Sequence, residues 1–461
     1  MRIYSTNFAA TALMALMAAG ASAETLEQAF ATAYASNPTL IAARAGVRAV
    51  DEGVPRARAG MRPSVFATAT VGYTRTDVDG GIPSRENEPR SVGVNASQVL
   101  YDGGRTWNSV DSAISGVSAA RSRLTDTEQN VLLQVVTSYM DVRALQQAVM
   151  LAKNNVKVIS EQLRAAEDRF AVGEVTRTDV SQANARLAES QASLANREGL
   201  LAQAFQAYTR VVGAPPGELA PPPDYPPLPP TMADAVAEAL DLHPAVVAAR
   251  YDEEQSRSDI ATAQGALLPT VTLSGSVNYG EDLTSTLSNG QTTSEVQLQA
   301  SIPLYQGGAA YSDIRRAQAV QSQRMSQIHD ASRLVRQGVE NAWTDLITAR
   351  AAIRAQRSQV AASQLAYEGV AEEAKLGSRT TLDVLDAEQE LLDARTNLVA
   401  SERDEYVAVY AVLSSMGRLT VAGIGVDVAP YDPNENYEDV NDRFIGFRQD
   451  ELTEWKGPVS P

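Results

Sequence analysis

The residues of this sequence that could carry chemistry are mainly carboxylates. Its 461 residues include 56 Asp and Glu against 39 Lys and Arg, for a formal net charge of −17, with two His and no Cys. Without Cys there is no thiolate nucleophile, disulfide or Cys-ligated zinc, and two His cannot build a multi-histidine metal site. The acidic balance argues against nucleic acid, whose phosphates require clustered Lys and Arg. We therefore predict no metal, no cofactor and no nucleic-acid partner.

The acidic residues are not arranged for catalysis. The sequence has no Gly-x-Ser-x-Gly elbow, no phosphate-binding glycine loop followed by Lys and no pair of His on a helix, so we predict that it is not an enzyme. Glu388 and Glu390 are expected on the solvated face of a coiled coil. Asp383 and Asp386 are three residues apart and share one helical face, and a ring of such carboxylates from several copies would attract cations and raise some of their pKa values. Alternatively, the helix dipole favours them at a helix start.

These acids belong to the second copy of a duplicated pattern. Five anchors recur in the same order: a segment that begins with Thr and leads to an Asn-Pro or His-Pro pair, a Pro-containing strand start, a Tyr-containing strand, a Leu-Tyr-x-Gly-Gly junction and a Gly-x-x-Thr-x-x-Asp-Val turn. They begin at Thr25, Arg62, Val71, Leu100 and Gly173 in the first copy and at Thr231, Leu268, Val277, Leu304 and Gly377 in the second. Such self-similarity indicates an internal repeat. We predict one repeat at residues 24–213, a Pro-rich linker at 214–230 and a second repeat at 231–418.

Two long tracts without proline predict the helices that carry the acids. No Pro occurs between residues 90 and 214 or between 304 and 429, and both tracts are rich in good helix formers. Their apolar residues recur at spacings of three and four, which is typical of a coiled-coil seam. The seam residues are Leu132, Val135, Tyr139 and Val142, and then Val335, Val339, Ala342, Leu346, Ala349 and Ile353.

Each tract is interrupted once, at Gly173 or Gly377, where a helix end is followed by Thr and Asp. This pattern predicts a turn and a new helix start, and hence helical hairpins at residues 104–212 and 308–417. The first helix, from Arg105 to Phe170, would be about 100 Å long at 1.5 Å per residue.

Upstream of each hairpin the hydrophobic period changes from helical to alternating. Strands are predicted at about 64–74, 91–101, 270–280 and 293–304, each with one apolar and one polar face. Their length suits a tilted strand that crosses a bilayer, whereas a soluble, half-buried sheet is the alternative. Four strands cannot close a barrel, because small membrane barrels have about eight, so a membrane sheet would require an oligomer. The connecting loops, Arg75 to Arg90 and Gly280 to Thr293, are expected at the cell exterior.

The two ends of the chain have their own character. Residues 1–23 predict a signal peptide, with Arg2 before an apolar stretch and a small-x-small cleavage signal at Ala21-Ser22-Ala23. A membrane anchor is the alternative, but the apolar stretch is shorter than the roughly 20 residues that a spanning helix needs. Residues 419–461 form an acidic tail, and we expect it to be weakly ordered from Asp427 onward.

In combination, the duplication, the Gly-Gly junctions and the Gly-x-x-Thr-x-x-Asp-Val turns resemble the TolC family of outer-membrane efflux and secretion ducts, from Thr25 to about Met416. The resemblance implies a mainly α fold with a membrane β-barrel. It implies a homotrimer with a 12-strand barrel in outer-membrane lipid, continuous with an α-helical periplasmic tunnel of a Gram-negative cell. The partners it implies are a periplasmic adaptor (membrane fusion) protein and an inner-membrane RND or ABC transporter.

The resemblance therefore implies an exit duct that passively conducts substrate to the exterior, either for drug efflux or for type I secretion. The sequence does not choose between these two roles. An alternative of a different class is an exported coiled-coil structural protein without channel activity.

The resemblance also assigns roles to the hairpin tips. Thr178, Asp179 and Arg379 match a latch that keeps the tunnel closed, and Asp383 and Asp386 match the acidic rings that narrow it. Three-fold symmetry would bring six of these carboxylates around one axis.

The second tip departs from the family pattern at one position. The family has a tyrosine three residues before the second-tip glycine, and this chain has Ala374 there. Phe170 occupies the corresponding place in the first tip.

Overall fold

The computed structural model describes residues 23–77, 85–281 and 290–446. The predicted signal peptide lies almost wholly outside them, as do the centres of both predicted exterior loops and the end of the tail. The chain forms two compact units, and both repeats contribute to each. The hairpin unit comprises Leu124–Pro244, Ser332–Tyr431 and the described residues before Arg44; the sheet unit comprises Arg44–Arg123, Ala245–Ala331 and the described residues from Asp432.

The helices of the two repeats correspond in order, with one exception. The first repeat contains α1 (Leu26–Ser36), α2 (Pro38–Asp51), α3 (Gly53–Arg58), α4 (Arg105–Ala171) and α5 (Arg177–Val212). The second contains α6 (Met232–Leu242), α7 (Pro244–Gly265), α8 (Ala309–Lys375) and α9 (Thr381–Ser415), and α10 (Pro433–Val440) follows. The exception is α7 of the second repeat, which occupies the place of both α2 and α3 of the first. Both α4 and α8 have 67 residues, so the two repeats have corresponding long helices.

Within the described ranges, no helix combines the length and the hydropathy that crossing a membrane requires.

The sheet unit is built around four antiparallel strands in the order β1-β4-β5-β6. The strands are β1 (Ser64–Val71), β2 (Thr74–Thr76), β3 (Arg85–Asn87), β4 (Arg90–Tyr101), β5 (Thr270–Glu281) and β6 (Gln291–Ser301), and β2 pairs only with β3. The predicted strand at 64–74 is interrupted after Val71, where the Gly72 amide bonds to the Pro89 carbonyl oxygen at 2.9 Å. β6 stops before Pro303, which has no amide hydrogen to donate to a ladder.

One face of this sheet is apolar and exposed in the chain. Val65, Val71, Val296 and Leu298 lie on it, and Val296 is 82% exposed. The opposite face is more polar, since the register places Asn95 beside Ser276 and Ser276 beside Glu295, although Phe66 pairs with Asn95 on the same face. This alternation is what a sheet between lipid and water requires.

Glycine pairs connect strand to helix in both repeats. Gly103 and Gly104 have φ of +74° and +80°, and Gly307 and Gly308 have +63° and +83°, a region that other residues enter at a cost. At Gly103 there is also no space, because an added Cβ would lie 2.4 Å from the Gly265 carbonyl oxygen. These junctions turn the chain from the sheet into the long helices.

The predicted coiled-coil seam is confirmed as the core of the hairpin unit. All ten of its residues are buried: Leu132, Val135, Tyr139, Val142, Val335, Val339, Ala342, Leu346, Ala349 and Ile353. Burial of such apolar surface is the main source of stability for helices of this length.

The Pro-rich linker is extended and packs against other parts of the hairpin unit. Leu219 forms a β-bridge with Glu24, and the Tyr139 hydroxyl lies 2.9 Å from the Glu24 carbonyl oxygen and 2.8 Å from that of Ala220. The Tyr406 hydroxyl donates to the Pro223 carbonyl oxygen at 3.1 Å. The seam and the linker are therefore fastened together by the hydroxyls of buried tyrosines.

The expectation of a weakly ordered tail was wrong for its described part. α10 begins with Asp432 as its N-cap, whose carboxylate accepts from the Asn434 amide at 2.8 Å. Asn436 donates to the buried Asp51 carboxylate at 2.8 Å, and the Arg121 guanidinium lies 5.1 Å from the centre of the Tyr437 ring. Acidic composition alone did not show that this segment has specific partners on α2 and α4.

The expectation that Glu388 lies on a solvated face was also wrong. Its side chain is buried, with 7% of the residue exposed, whereas Glu390 is exposed. Burial raises the pKa of Glu388, and a hydrogen bond from Tyr367 and the charge of Arg395 partly oppose that rise. Two residues along a helix are separated by about 200°, so the two glutamates face in different directions.

This burial predicts a pH dependence of stability. Because the pKa of Glu388 is raised in the folded state, the folded chain holds this proton more tightly than the unfolded chain. Stability should fall as the pH rises above 4.5, the ordinary pKa of the group, and level off above the raised value. Glu388→Gln should remove this component and be more stable than the parent at neutral pH.

The measurement is the thermal unfolding midpoint by far-UV circular dichroism, from acid to neutral pH, for the parent chain, Glu388→Gln and Glu390→Gln. Glu390→Gln is the matched control, and its unfolding midpoints should follow those of the parent. Parallel curves for the parent and Glu388→Gln would contradict the assignment.

The candidate site at the hairpin tips

The two turns between long helices have the same backbone structure. Gly173 and Gly377 both have φ of +80°, and the residue after each donates its amide to the carbonyl five residues back. The distances are 3.0 Å for Glu174 to Arg169 and 3.0 Å for Ser378 to Glu373. A left-handed glycine with such a bond is a common helix end, and it satisfies carbonyls that the helix leaves unpaired. An added Cβ would meet nothing within 4 Å at either glycine, so it is φ that requires glycine.

Each following helix begins with a reciprocal capping box. At the first tip, the Thr176 amide and hydroxyl both donate to Asp179 Oδ2, at 2.8 Å each, and the Asp179 amide donates to Thr176 Oγ1 at 3.3 Å. Thr380 and Asp383 repeat these contacts at 2.9, 2.8 and 3.2 Å. Two helix-start donors are thereby satisfied at each tip.

The capping boxes also set the charge of the two aspartates. The backbone hydrogen bond from Thr176, followed by that from its side chain, lowers the pKa of Asp179. The same two contacts from Thr380 lower the pKa of Asp383, to which the charge of Arg379 adds. Both carboxylates are therefore ionised at neutral pH. Asp383 is a helix-start residue, as the alternative interpretation expected, and its charge remains available to solvent.

The tips enclose a cleft of about 480 Å³ that residues of both hairpins line. Asp179 lies on its first-tip side, and Ala374 and Arg379 lie on its second-tip side. The Arg379 guanidinium pairs with Glu373 of its own tip, with Nε 2.8 Å from Oε2. The structure thus brings two predicted latch residues into one cleft, but it shows Arg379 and Asp179 bound to other partners.

Thr178 and Phe170 are exposed, whereas Ala374 is half-buried. Thr178 is the second residue of α5 and lies outside the residues lining the cleft. Phe170 is 45% exposed near the end of α4, and Ala374 leaves its side of the cleft without the aromatic ring that the family pattern has there.

Asp386 makes an ion pair that directly joins the two hairpins. Its Oδ1 lies 2.7 Å from Arg186 Nη2, which belongs to α5. Arg186 also contacts Glu189 through Nη1 at 2.9 Å. Of the five predicted charged or polar site residues, Asp386 has a described partner on the other hairpin, and the sequence did not identify that partner.

Apolar packing reinforces this connection. Leu385, the residue before Asp386, packs with Ile159 and Ala166 of α4 and Ala183 of α5, and all four are buried. The ion pair lies at the exposed edge of this cluster, since its two side chains are 36% and 54% exposed. An exposed pair of this kind contributes about 0–1 kcal/mol, so the apolar cluster dominates the contact.

The tips therefore present ionised carboxylates near the surface, and one of them, Asp386, is paired across the two hairpins. Arg186 lies seven residues, or about two helical turns, after Asp179, so the two residues share one face of α5. This shared face is the sequence feature that could have indicated Arg186 as a tip residue. The sequence could not show that α5 and α9 lie side by side in the register that pairs Arg186 with Asp386.

Comparison with known proteins agrees with the duplicated architecture. The family model described as outer membrane efflux protein matches residues 29–214 and 235–418, once in each repeat. The chain is 37% identical to the outer membrane efflux protein BepC of Brucella suis biovar 1, with 92% of each chain covered. It is 27% identical to the outer membrane protein TolC of Vibrio cholerae, over 86% of this chain and 92% of that one.

The fold is shared with solved structures as well. The structure of the outer-membrane channel OprN superposes with a TM-score of 0.73 at 23% identity, covering 85% of this chain and 89% of that one. The repeated family match and the extent of the similarity to BepC agree with the duplicated hairpins and strands described above. The chain belongs to the outer membrane efflux protein family, whose members are channel proteins of the outer membrane.

Proposed function

We propose that three copies of the chain form an outer-membrane exit duct of a tripartite efflux pump or type I secretion system. The duplicated pair of strands and helical hairpins is the observation that carries this proposal. Three four-stranded sheets give 12 strands, enough for a barrel, and closure pairs the free edges of β1 and β6 between subunits. The exposed apolar face of the sheet then contacts lipid, and the helical hairpins form the periplasmic tunnel.

The duct is passive and depends on partners for its substrate. A periplasmic adaptor protein docks on the helical part, and an inner-membrane RND or ABC transporter supplies both the energy and the substrate. Membership of the outer membrane efflux protein family supports these partners. It also favours the duct over an exported coiled-coil protein without channel activity.

The hairpin tips form the gate of this duct. Arg379 links the second tip to Thr178 and Asp179 of the first in the closed trimer, and Arg186 with Asp386 forms a second link. The capping contacts leave this latch possible, because both use Oδ2 of Asp179 and a carboxylate can accept further hydrogen bonds through its other oxygen. A docking partner can open such a gate, since exposed links are weak.

Asp383 and Asp386 form the acidic constriction. Three copies bring six carboxylates around the tunnel axis, and like charges at short range attract cations strongly. The Arg186 ion pair offsets part of the charge of Asp386 in the described conformation. The ring therefore depends most on Asp383, whose ionised form its capping contacts favour.

The duct is tested by imaging and conductance of the mature protein extracted in detergent. Negative-stain class averages should show hollow three-fold cylinders, and the same sample should form ion-conducting pores in planar bilayers. Solid rods that stay soluble without detergent and do not conduct would contradict the duct and favour the structural coiled-coil protein.

The acidic ring is tested with the double variant Asp383→Asn, Asp386→Asn. Loss of six formal charges per trimer should weaken block of single-channel current by divalent and trivalent cations severalfold. Glu390→Gln is the control for a lost charge on α9 outside the ring. Unchanged block in the double variant would place the constriction elsewhere.

The two links are tested by single substitutions that leave the apolar cluster intact. Arg379→Ser and Arg186→Gln should each raise single-channel conductance by favouring the open tips. For Arg186, three exposed pairs contribute about 0–3 kcal/mol in total, so its effect should be a partial opening. Arg164→Gln, an exposed arginine of α4, should leave conductance unchanged. Low conductance in both link variants would mean that the apolar cluster alone holds the tips closed.

A further inference from the structure

A cleft of about 650 Å³ in the sheet unit has a charge opposite to that of the chain. α2, α3, the short turn at Ala59–Met61 and the tail line it, with Arg48, Arg56, Arg62 and Arg443 among the lining residues and Glu52 as a lining acid. The lining residues include four Arg and one Glu, a local net charge of +3 in a chain of −17. This local excess of guanidinium groups calls for an anionic ligand.

One arginine of the cleft has a side chain that contributes no described polar contact to the fold. The Arg56 guanidinium makes no hydrogen bond or ion pair with any residue that the structure describes, and Arg56 is exposed. By contrast, Arg62 donates to the Arg443 carbonyl oxygen at 2.8 Å, and Arg443 pairs with Asp439 at 3.0 Å. Arg62 and Arg443 thus help to form the cleft, whereas the guanidinium of Arg56 is available to bind a ligand.

The cleft lies at the end of the sheet where β1 begins. Arg62 is two residues before Ser64, a separation of about 7 Å in extended chain. The turn is held to β4 by Gln98, which donates to the Met61 carbonyl oxygen at 3.4 Å. Tyr101, at the end of β4, is exposed, as expected for an aromatic residue at a membrane boundary.

The tail places apolar side chains beside these arginines. Phe444 and Ile445 line the cleft and are 67% and 91% exposed, and the Arg62 guanidinium lies 4.4 Å from the centre of the Phe444 ring. Exposed apolar side chains next to cations at the end of a membrane sheet suit a ligand with a charged head and an apolar tail.

We propose that this cleft binds an anionic glycerophospholipid of the leaflet that faces the periplasm. Arg56 and Arg62 contact the phosphate, whose oxygens match the guanidinium fork, and Phe444 and Ile445 lie against the acyl chains. Arg443 adds positive charge at the same headgroup. The lipid thereby fastens the tail to the start of β1. This proposal rests on the membrane placement of the strands proposed above.

The test uses the full mature protein in a detergent without phosphate groups, with native mass spectrometry as the readout. Dioleoyl phosphatidylglycerol should bind and remain bound, whereas phosphatidylcholine with the same chains should bind more weakly. Arg56→Gln should weaken phosphatidylglycerol binding by about fivefold. Ile445→Ser should weaken binding of both lipids. Arg315→Gln, an exposed arginine of α8 in the same unit, is the matched control and should bind as the parent does.

Several results would overturn the lipid site. Equal binding of the two lipids, or equal losses in Arg56→Gln and Arg315→Gln, would show that the cleft is not selective for the anionic head. Displacement of phosphatidylglycerol by inorganic phosphate would assign the cleft to a free anion. Dissociation of the oligomer in Arg56→Gln, with lipid binding retained, would make the cleft a subunit contact.

Conductance of the same samples separates this proposal from the proposed function. Arg56→Gln lies outside the gate, so its pores should conduct like those of the parent. Loss of lipid selectivity in a conducting parent overturns only the lipid site, whereas a parent that does not conduct overturns the duct.

Discussion

Backbone hydrogen bonding at the turns between the long helices is the constraint on which the tips depend. A helix end leaves carbonyls unpaired and a helix start leaves amides unpaired, so a tight turn between 67-residue and 36-residue helices must satisfy both. The left-handed glycine satisfies the first set, and the Thr-Asp capping box satisfies the second. The same aspartates that make the turn possible are thereby held ionised at the tip. Structure and candidate function use one side chain, and a substitution there acts on both.

The parts of the fold that follow from local pattern were predictable. Proline-free tracts and apolar spacing gave the long helices and their seam, because a helix of that length must bury one continuous stripe. The alternating pattern predicted the four strands of the main sheet, and two of them end earlier than expected, where Gly72 and Pro303 alter the hydrogen-bond ladder. The tail was mispredicted because composition describes average solvation, whereas Asn436 and Tyr437 bind particular partners on α2 and α4.

The candidate site was predictable as a location but not as a set of contacts. The glycines and aspartates of the tips are fixed by motif, and the structure shows both turns. The partner of Asp386 depends on how the two hairpins dock, which no spacing within one helix specifies. Arg379 pairs within its own tip, with Glu373, rather than with the predicted latch residues of the other tip. Glu388 is a second example, because the spacing of apolar residues along α9 did not show which side of the helix faces Tyr367. Contacts between elements that are far apart in sequence are set by packing, so they cannot be predicted from the pattern of one segment alone.

The duplication leaves the two halves chemically unequal, and this inequality bears on the gate. Both tips carry a capping aspartate whose described hydrogen bonds use Oδ2. The second tip also carries the cation, Arg379, and a second ring acid, Asp386. In the described conformation the positive charge of Arg186 offsets part of the negative charge of Asp386. Separating the hairpins would break this ion pair and leave one more unpaired carboxylate on each subunit. Opening would then increase both the width and the negative charge of the proposed constriction. A trimer built this way would be less attractive to cations when closed, because the ion pair that links the hairpins also offsets part of the charge of the ring.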